Sequence, residues 1–113
     1  MPLTNAQVTA HPFLRDLYRD GYYPDHVVDR GRDVLLALCA RIEAERPVGL
    51  PALHLLTHAA TEEVNDLETA FVEAGSEIET VAREAIAGDF WFVAQAYGFT
   101  DADVEELIAP REW

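Results

Sequence analysis

Two histidines and a glutamate follow one another at intervals of four residues in the stretch LHLLTHAATEEVNDLETAF, residues 53–71. Imidazole nitrogens at positions i and i+4 of a helix can reach one ion, so His54 and His58 form a candidate metal-binding pair. Glu62 could add an oxygen ligand, and His26 is the best candidate for a remote ligand. The metal pattern is weak, because the stretch lacks the glutamate of the H-E-x-x-H metalloprotease helix.

In a second interpretation, the same side chains form hydrogen bonds within the protein and stabilise the fold. At about 100° per residue, one polar stripe lies beside the apolar face of this predicted helix and consists of His54, His58, Thr61 and Asn65. Polar groups at the border of a core usually have hydrogen-bond partners, because an unsatisfied one costs about 1–3 kcal/mol. This interpretation is favoured. No cofactor is expected. If the metal-binding interpretation holds instead, a divalent metal ion is possible.

A ligand site, if the protein has one, is predicted in a polar pocket between the second, third and fourth helices. Arg83 is expected to pair with Glu68, and the tyrosines of GYYP, residues 21–24, to cover the histidines. Aromatic rings with a polar tip are common at binding surfaces. The candidate ligand-binding residues are therefore Tyr22, Tyr23, His54, His58, Thr61, Asn65 and Arg83.

Signatures of the common catalytic classes are missing from the sequence. It contains no glycine-rich phosphate loop, no Cys-x-x-Cys pair and no nucleophile elbow. Glu77 and Glu84 share a helix face, but Glu77 in a first helical turn is already favoured by the helix dipole. Whether the protein is an enzyme stays open. The favoured function is a non-catalytic protein-binding or accessory module, and the alternative is a metal- or small-ligand-binding helical enzyme that uses His54, His58 and Glu62.

The charge distribution narrows the choice of partner. Residues 1–50 carry six arginines against seven acidic residues, whereas residues 51–113 carry two arginines against fourteen. A nucleic-acid surface needs a basic footprint, so no nucleic acid is expected. The acidic half suits a protein partner, in particular a basic one. Phe90 and Trp91 are expected to form an exposed apolar patch, which would favour a partner or self-association.

The sequence also predicts where the protein resides. Cys39 is the single cysteine, which favours a reducing compartment, and its apolar neighbours predict a buried, inert thiol. No window reaches 18 consecutive apolar residues, so no membrane span is expected. The first residues have neither a basic region nor a long apolar stretch, so no signal peptide is expected. These features predict a cytoplasmic protein.

Helical periodicity runs through the whole chain, and strand-like alternation is missing. The predicted fold is all-α: a compact single-domain bundle of four to six helices that covers residues 1–113. Short connections favour antiparallel neighbours, with a close helix crossing at Gly31. Trp113 should pack back onto the body. Helices are predicted over residues 11–19, 24–45 and 52–74, with a fourth from residue 76 and a short last one that Thr100 caps.

Two details concern the fourth helix. In SEIE, residues 76–79, Ser76 and Glu79 have the spacing of a capping box. Further on, Asp89 would fall on the apolar side, so either Asp89 is buried and paired, or Gly88 ends the helix and Asp89 caps a new one. The second alternative is preferred. The predicted core consists of Leu38, Ile42, Leu56, Ala60, Val64, Leu67, Phe71, Ile78, Ala82, Ala85 and Phe92.

Five blocks together carry a resemblance that extends over nearly the whole chain. They read LYRDGYYPDHVVDRG, LCARIE, LTHAATEEVNDL, GSEIETVARE and AYGFTDADVEELIAPREW. With these blocks the chain resembles an uncharacterised bacterial family, domain of unknown function 5713. The resemblance implies a small stand-alone helical protein. It implies no activity, substrate or catalytic residue.

Overall fold

The chain forms six helices within residues 3–113, which is the range that the structure, a computed structural model, describes. No strand occurs in that range, so the predicted all-α bundle of four to six helices is confirmed. The Cα radius of gyration is 13.4 Å, close to the roughly 13 Å expected of a compact domain of this length. The helices are α1 (Ala6–Ala10), α2 (Arg15–Arg19), α3 (Asp25–Glu45), α4 (Leu50–Glu73), α5 (Thr80–Ala96) and α6 (Val104–Leu107).

Helices α3 and α4 form the frame of the bundle, an antiparallel hairpin with a short connection. Both agree with the predicted helices to within two residues at each end. Arg46 ends α3 in the left-handed region, at φ 48°, and its N–H donates to the Ile42 carbonyl. Gly49 is the N-cap of α4, and Pro51 lies in its first turn, where a missing N–H costs nothing.

Gly31 allows three segments to meet on the inner side of the hairpin. A Cβ placed on Gly31 would lie 3.1 Å from Leu14 Cδ1 and 3.7 Å from Leu67 Cδ1. Leu14 precedes α2 and Leu67 belongs to α4, so the predicted close crossing at Gly31 is confirmed. Glycine costs about 1 kcal/mol of helix propensity relative to alanine, and here it makes room for two leucine side chains.

The turn between α4 and α5 differs from the predicted capping box. Gly75 has φ 86°, its N–H donates to the Val72 carbonyl, and the Ser76 N–H donates to the Phe71 carbonyl. These two bonds form a Schellman motif, which closes the end of α4. Ser76 is therefore used to end α4, and the expected capping box is wrong: α5 begins at Thr80 after Glu79, whose side chain makes no capping hydrogen bond.

Helix α5 continues through Gly88 and Asp89 without a break. The preferred prediction, a new helix capped by Asp89, is therefore wrong. The other alternative describes the structure, because the Asp89 carboxylate is largely buried and paired. It accepts a hydrogen bond from His11 Nε2 at 2.8 Å and one from the Leu14 N–H at 2.7 Å.

The ends of the chain are folded differently from the prediction. The expected helix over residues 11–19 is replaced by α1, which Asn5 caps, and by the shorter α2. The segment between them turns, and Leu14 adopts φ 57°. The last helix begins at Val104 with Asp103 as its cap, and Thr100 has no such role. The start of α2 depends on a distant contact, the hydrogen bond from the Leu14 N–H to Asp89, whereas Asn5 and Asp103 are local caps that the predicted boundaries did not include.

The core agrees with the prediction at nine of its eleven positions, whereas Ala85 and Phe92 are half-buried at its edge. Phe90, predicted to be exposed, is fully buried, while Trp91 is 48% exposed. The expected two-residue apolar patch is therefore wrong. Cys39 is buried, as predicted, and burial raises the pKa of its thiol to about 12, which makes it a poor nucleophile.

The two glycines inside helices allow a matched test of the crossing. Gly31→Val should lower the free energy of unfolding by about 1–3 kcal/mol, because the added methyl groups overpack the contact with Leu14. Gly88→Val makes the same change where no atom lies within 4 Å, and it should be neutral or slightly stabilising. Urea denaturation measures both. Equal losses in the two variants would contradict the close crossing.

Candidate functional site

The helix itself satisfies two threonines of α4, Thr61 in the polar stripe and Thr57 beside it. Thr57 and Thr61 are almost fully buried. The Thr61 hydroxyl donates to the Thr57 carbonyl at 2.8 Å, and the Thr57 hydroxyl donates to the His54 carbonyl at 3.3 Å. Thr61 was a candidate ligand-binding residue, but the structure places it inside the core.

His58 and Asn65 bind the backbone of the last segment of the chain. His58 Nε2 donates to the Glu106 carbonyl at 2.7 Å. Asn65 Nδ2 donates to the Pro110 carbonyl at 3.0 Å, and Asn65 Oδ1 accepts from the Glu112 N–H at 2.8 Å. We call these three hydrogen bonds the C-terminal clasp. The prediction that the fold itself holds the polar stripe is confirmed for His58, Thr61 and Asn65, whereas His54 Nε2 is buried without a hydrogen-bond partner within residues 3–113.

The clasp replaces the polar pocket that the sequence suggested between the second, third and fourth helices. The Arg83 side chain is exposed and makes no ion pair with Glu68. Three polar atoms of the described residues near the stripe and the chain end are instead buried without a hydrogen-bond partner: His54 Nε2, Glu68 Oε2 and Trp113 Nε1. As expected, Trp113 packs back onto the core.

The candidate metal ligands are only partly brought together. The His54 and His58 rings are stacked with their centroids 5.6 Å apart. Glu62 and His26 are exposed. Within residues 3–113, no group of three His, Cys, Asp or Glu side chains is arranged to hold a metal ion. The histidine pair therefore has no third ligand in the described part of the chain.

The remaining candidate residues, Tyr22, Tyr23 and Arg83, lie around one concave surface that no clasp residue lines. This cleft of about 500 Å³, the tyrosine hollow, lies between the turn before α3 and the start of α5. Its lining residues are Asp20, Tyr22, Tyr23, Glu77, Glu79, Thr80, Val81 and Arg83. The prediction that the two tyrosines and Arg83 share one concave surface is confirmed. The prediction that the tyrosines cover the histidines is wrong, because neither histidine lines the tyrosine hollow.

The tyrosine hollow combines aromatic surface with negative charge. Tyr23 is buried and packs edge-on against Phe71 at 6.2 Å, whereas Tyr22 is 42% exposed and packs edge-on against Tyr23 at 5.0 Å. Partial burial and then the charges of Glu79 and Glu77 raise the pKa of Tyr22 above its ordinary value. Both phenols therefore remain neutral at physiological pH, and the charge of the surface comes from the carboxylates.

A buried serine lies behind this surface. Ser76 is 3% exposed, and its hydroxyl makes no hydrogen bond within the described residues. Ser76 directly precedes Glu77, which lines the hollow. An unsatisfied buried hydroxyl costs free energy, so this serine lowers the stability of the turn before α5.

A second polar cluster, which the sequence analysis missed, joins the N-terminal segment to α3 and to the end of α5. The Glu43 carboxylate accepts from the Tyr97 hydroxyl at 2.5 Å and from the backbone N–H groups of Thr4 and Asn5. The Tyr97 hydroxyl, followed by the Thr4 N–H, lowers the pKa of Glu43 to about 2. Residues 54 positions apart make the central bond, so no local sequence pattern could have revealed it.

The His11–Asp89 pair was missed for the same reason, since 78 positions separate the two residues. Asp89 was noticed because it interrupts an apolar face. That conflict was the only signal of the pair in the sequence.

These observations define the class of protein as an all-α bundle. Its predicted histidine site contributes His58 to the C-terminal clasp, and its acidic concave surface is the tyrosine hollow. The chain belongs to the family described as "Family of unknown function (DUF5713)", whose model matches residues 7–113. The resemblance seen in the sequence blocks is thereby confirmed. Comparisons with curated proteins and with solved structures found no match. None of the helices in residues 3–113 is long and apolar enough to cross a lipid bilayer.

The clasp can be tested at Asn65. Asn65→Ala removes a donor and an acceptor, so it should lower the free energy of unfolding by about 1–2 kcal/mol and speed hydrogen exchange of the Glu112 amide. Asp66→Ala, at the exposed neighbouring position, is the matched control and should change neither quantity. Unchanged exchange at Glu112 in Asn65→Ala would contradict the clasp.

The Glu43 cluster predicts a specific dependence of stability on pH. Its pKa is lowered in the folded protein from an ordinary 4.5 to about 2, so its stabilising contribution is present above pH 4.5. That contribution is lost as the pH falls towards 2. Glu43→Gln should therefore show a smaller loss of urea midpoint between pH 4.5 and 2 than the wild type.

The exposed Glu45 is the control for this measurement, since it forms only a surface pair with Arg41. Glu45→Gln should follow the wild-type curve. If Glu43→Gln and the wild type lose the same stability across this pH range, the assignment of the low pKa to Glu43 is wrong.

Proposed function

We propose that this protein is a small, non-catalytic cytoplasmic binding module that docks on a basic protein partner. The observation that carries the proposal is the tyrosine hollow, in which an exposed aromatic ring lies among three carboxylates. The hollow would receive a cationic side chain of the partner, an arginine or a lysine.

Charge complementarity supports this choice of occupant. Three carboxylates, those of Asp20, Glu77 and Glu79, line the hollow against the single guanidinium of Arg83. Arg83 forms no ion pair within residues 3–113, so none of this negative charge is neutralised by a direct contact with it. The excess of acid also matches the acidic second half of the chain. A long-range field of this sign speeds the encounter with a basic partner.

The aromatic part of the hollow supports a cation in particular. A guanidinium or ammonium group over the face of a tyrosine is stabilised by about 0.5–2 kcal/mol, according to its desolvation. Tyr22 offers such a face because almost half of its surface is exposed, while Tyr23 behind it is fixed in the core. The aliphatic stem of the partner side chain would cover Val81, which is 46% exposed.

The other candidate functions have less support. Self-association has no observation of its own in support, and the exposed large apolar residues are spread over two connections and two helices: Tyr22, Val48, Leu55, Val72, Val81 and Trp91. A metal- or small-ligand-binding enzyme would use His54, His58 and Glu62. The clasp occupies Nε2 of His58, and Glu62 points to solvent.

Two variants of equal net charge test the proposal. Glu77→Gln/Glu79→Gln removes two carboxylates from the hollow, and Glu62→Gln/Glu63→Gln removes two exposed carboxylates of α4. The probe is N-acetyl-arginine methylamide, followed by NMR of the full chain, with the uncharged citrulline analogue as its control. The wild type and the α4 variant should show saturable shifts at Tyr22 and Val81.

In the Glu77→Gln/Glu79→Gln variant we expect the affinity for the arginine probe to fall by at least about fivefold, because two attractive charges close to the cation are lost. The citrulline analogue should give no saturable shift with any variant. Equal weakening in both double variants would show a general charge effect, and the proposed docking of a basic side chain in the hollow would then be wrong.

A further inference from the structure

A basic concave surface lies beside the His11–Asp89 pair in this otherwise acidic protein. This cleft of about 460 Å³, the arginine hollow, is lined by His11, Pro12, Phe13, Arg15, Tyr18, Arg19 and Arg32. It brings three of the eight basic residues of the chain to one place. No carboxylate lines it, whereas the net charge of the whole chain is −13.

The positive charge of the arginine hollow is largely unneutralised. Arg15 and Arg19 are exposed and make no ion pair with any described residue. Arg32 approaches Asp29 only at 3.8 Å. That carboxylate already accepts a 2.5 Å hydrogen bond from the Tyr18 hydroxyl. The guanidinium of Arg32 also lies 5.8 Å from the centre of the Tyr18 ring, a contact that orients the group.

The floor of the arginine hollow is apolar and fixed. Phe13 is buried and meets the His11 ring edge-on at 4.6 Å, and on its other side His11 stacks on Phe92 at 3.8 Å. Pro12 and the ring of Tyr18 complete this surface. A ligand with a flat or aliphatic body could therefore bury apolar area here while its charged end meets the arginines.

The histidine at the edge of the hollow has a defined orientation. Its Nε2 donates to Asp89 Oδ1, which leaves Nδ1 without a hydrogen-bond partner within residues 3–113. Asp89 is fixed in turn by the Leu14 N–H and is part of a continuous helix. His11 also lines an adjoining cleft of about 360 Å³, which it shares with Arg15, Asp16 and Asp89. The ring thus stands at the junction of two clefts and is oriented from behind.

From this arrangement we infer a second binding site, which takes a small organic anion: a phosphate or carboxylate group carried on an apolar body. The guanidinium groups of Arg15, Arg19 and Arg32 hold the anionic group, because planar forks of N–H donors match its oxygens. The apolar body lies on Phe13 and Pro12. This site is independent of the tyrosine hollow, whose charge has the opposite sign.

Phenyl phosphate is the probe, followed by NMR of the Arg Nε–H resonances of the full chain at constant ionic strength. Saturable shifts are expected at Arg15, Arg19 and Arg32. Phenol, which has the same ring without the charge, should give none. Saturable shifts of equal size with phenol would overturn the assignment of an anionic ligand.

Two double variants with the same net charge complete the test. Arg15→Gln/Arg19→Gln should weaken the binding of phenyl phosphate by at least about tenfold, because charge-assisted hydrogen bonds to the anion are lost. Arg41→Gln/Arg46→Gln, at exposed positions near the end of α3, should change it less than about twofold. Equal weakening in the two variants, or the absence of saturable binding to the wild type, would overturn the proposal.

Discussion

The position of Leu14 is the constraint on which most of the bundle depends. Its side chain fills the space that Gly31 leaves on α3, and across that glycine lies Leu67 of α4. Its backbone lies in the left-handed region at φ 57°, a conformation that costs a residue with a Cβ about 1 kcal/mol or more. The hydrogen bond from its N–H to Asp89 offsets that cost. One residue therefore fixes α2, α3, α4 and α5 relative to one another.

The long helices could be predicted from the sequence because their signals are local. Two such signals are the apolar repeat along α3 and α4 and the glycine at position 75, just past the end of α4, and neither requires knowledge of the partner helix. The stripe of α4 was also recognised as polar residues that the fold holds. Its partners could not be identified, since they are backbone groups of residues 106, 110 and 112 that no side-chain pattern marks.

The errors occurred where two local rules competed or where a distant residue decided the outcome. Ser76 has the chemistry of a helix N-cap, but its N–H completes the Schellman motif of the preceding helix, and the two roles require different backbone positions. Asp89 has the chemistry of a cap as well. It remained inside α5 because His11 and Leu14 satisfy its carboxylate. A buried charge inside a helix is tolerated when such partners exist, and the sequence does not reveal partners 75 and 78 positions away.

The C-terminal clasp has a consequence for how this chain tolerates change. Residues 106 and 110 contribute their backbone carbonyls, and residue 112 contributes its backbone N–H. Every residue type has the carbonyl, and every residue type except proline has the N–H. The side chains of residues 106, 110 and 112 are thus released from the task of holding the segment, which falls to these peptide groups and to the buried side chains of Leu107 and Ile108. Substitutions can accumulate in residues 106, 110 and 112 without loosening the segment, while His58 and Asn65 on α4 cannot be exchanged so freely. The segment is anchored by its peptide groups and by two buried aliphatic side chains, and its outward side chains are available for selection on other grounds.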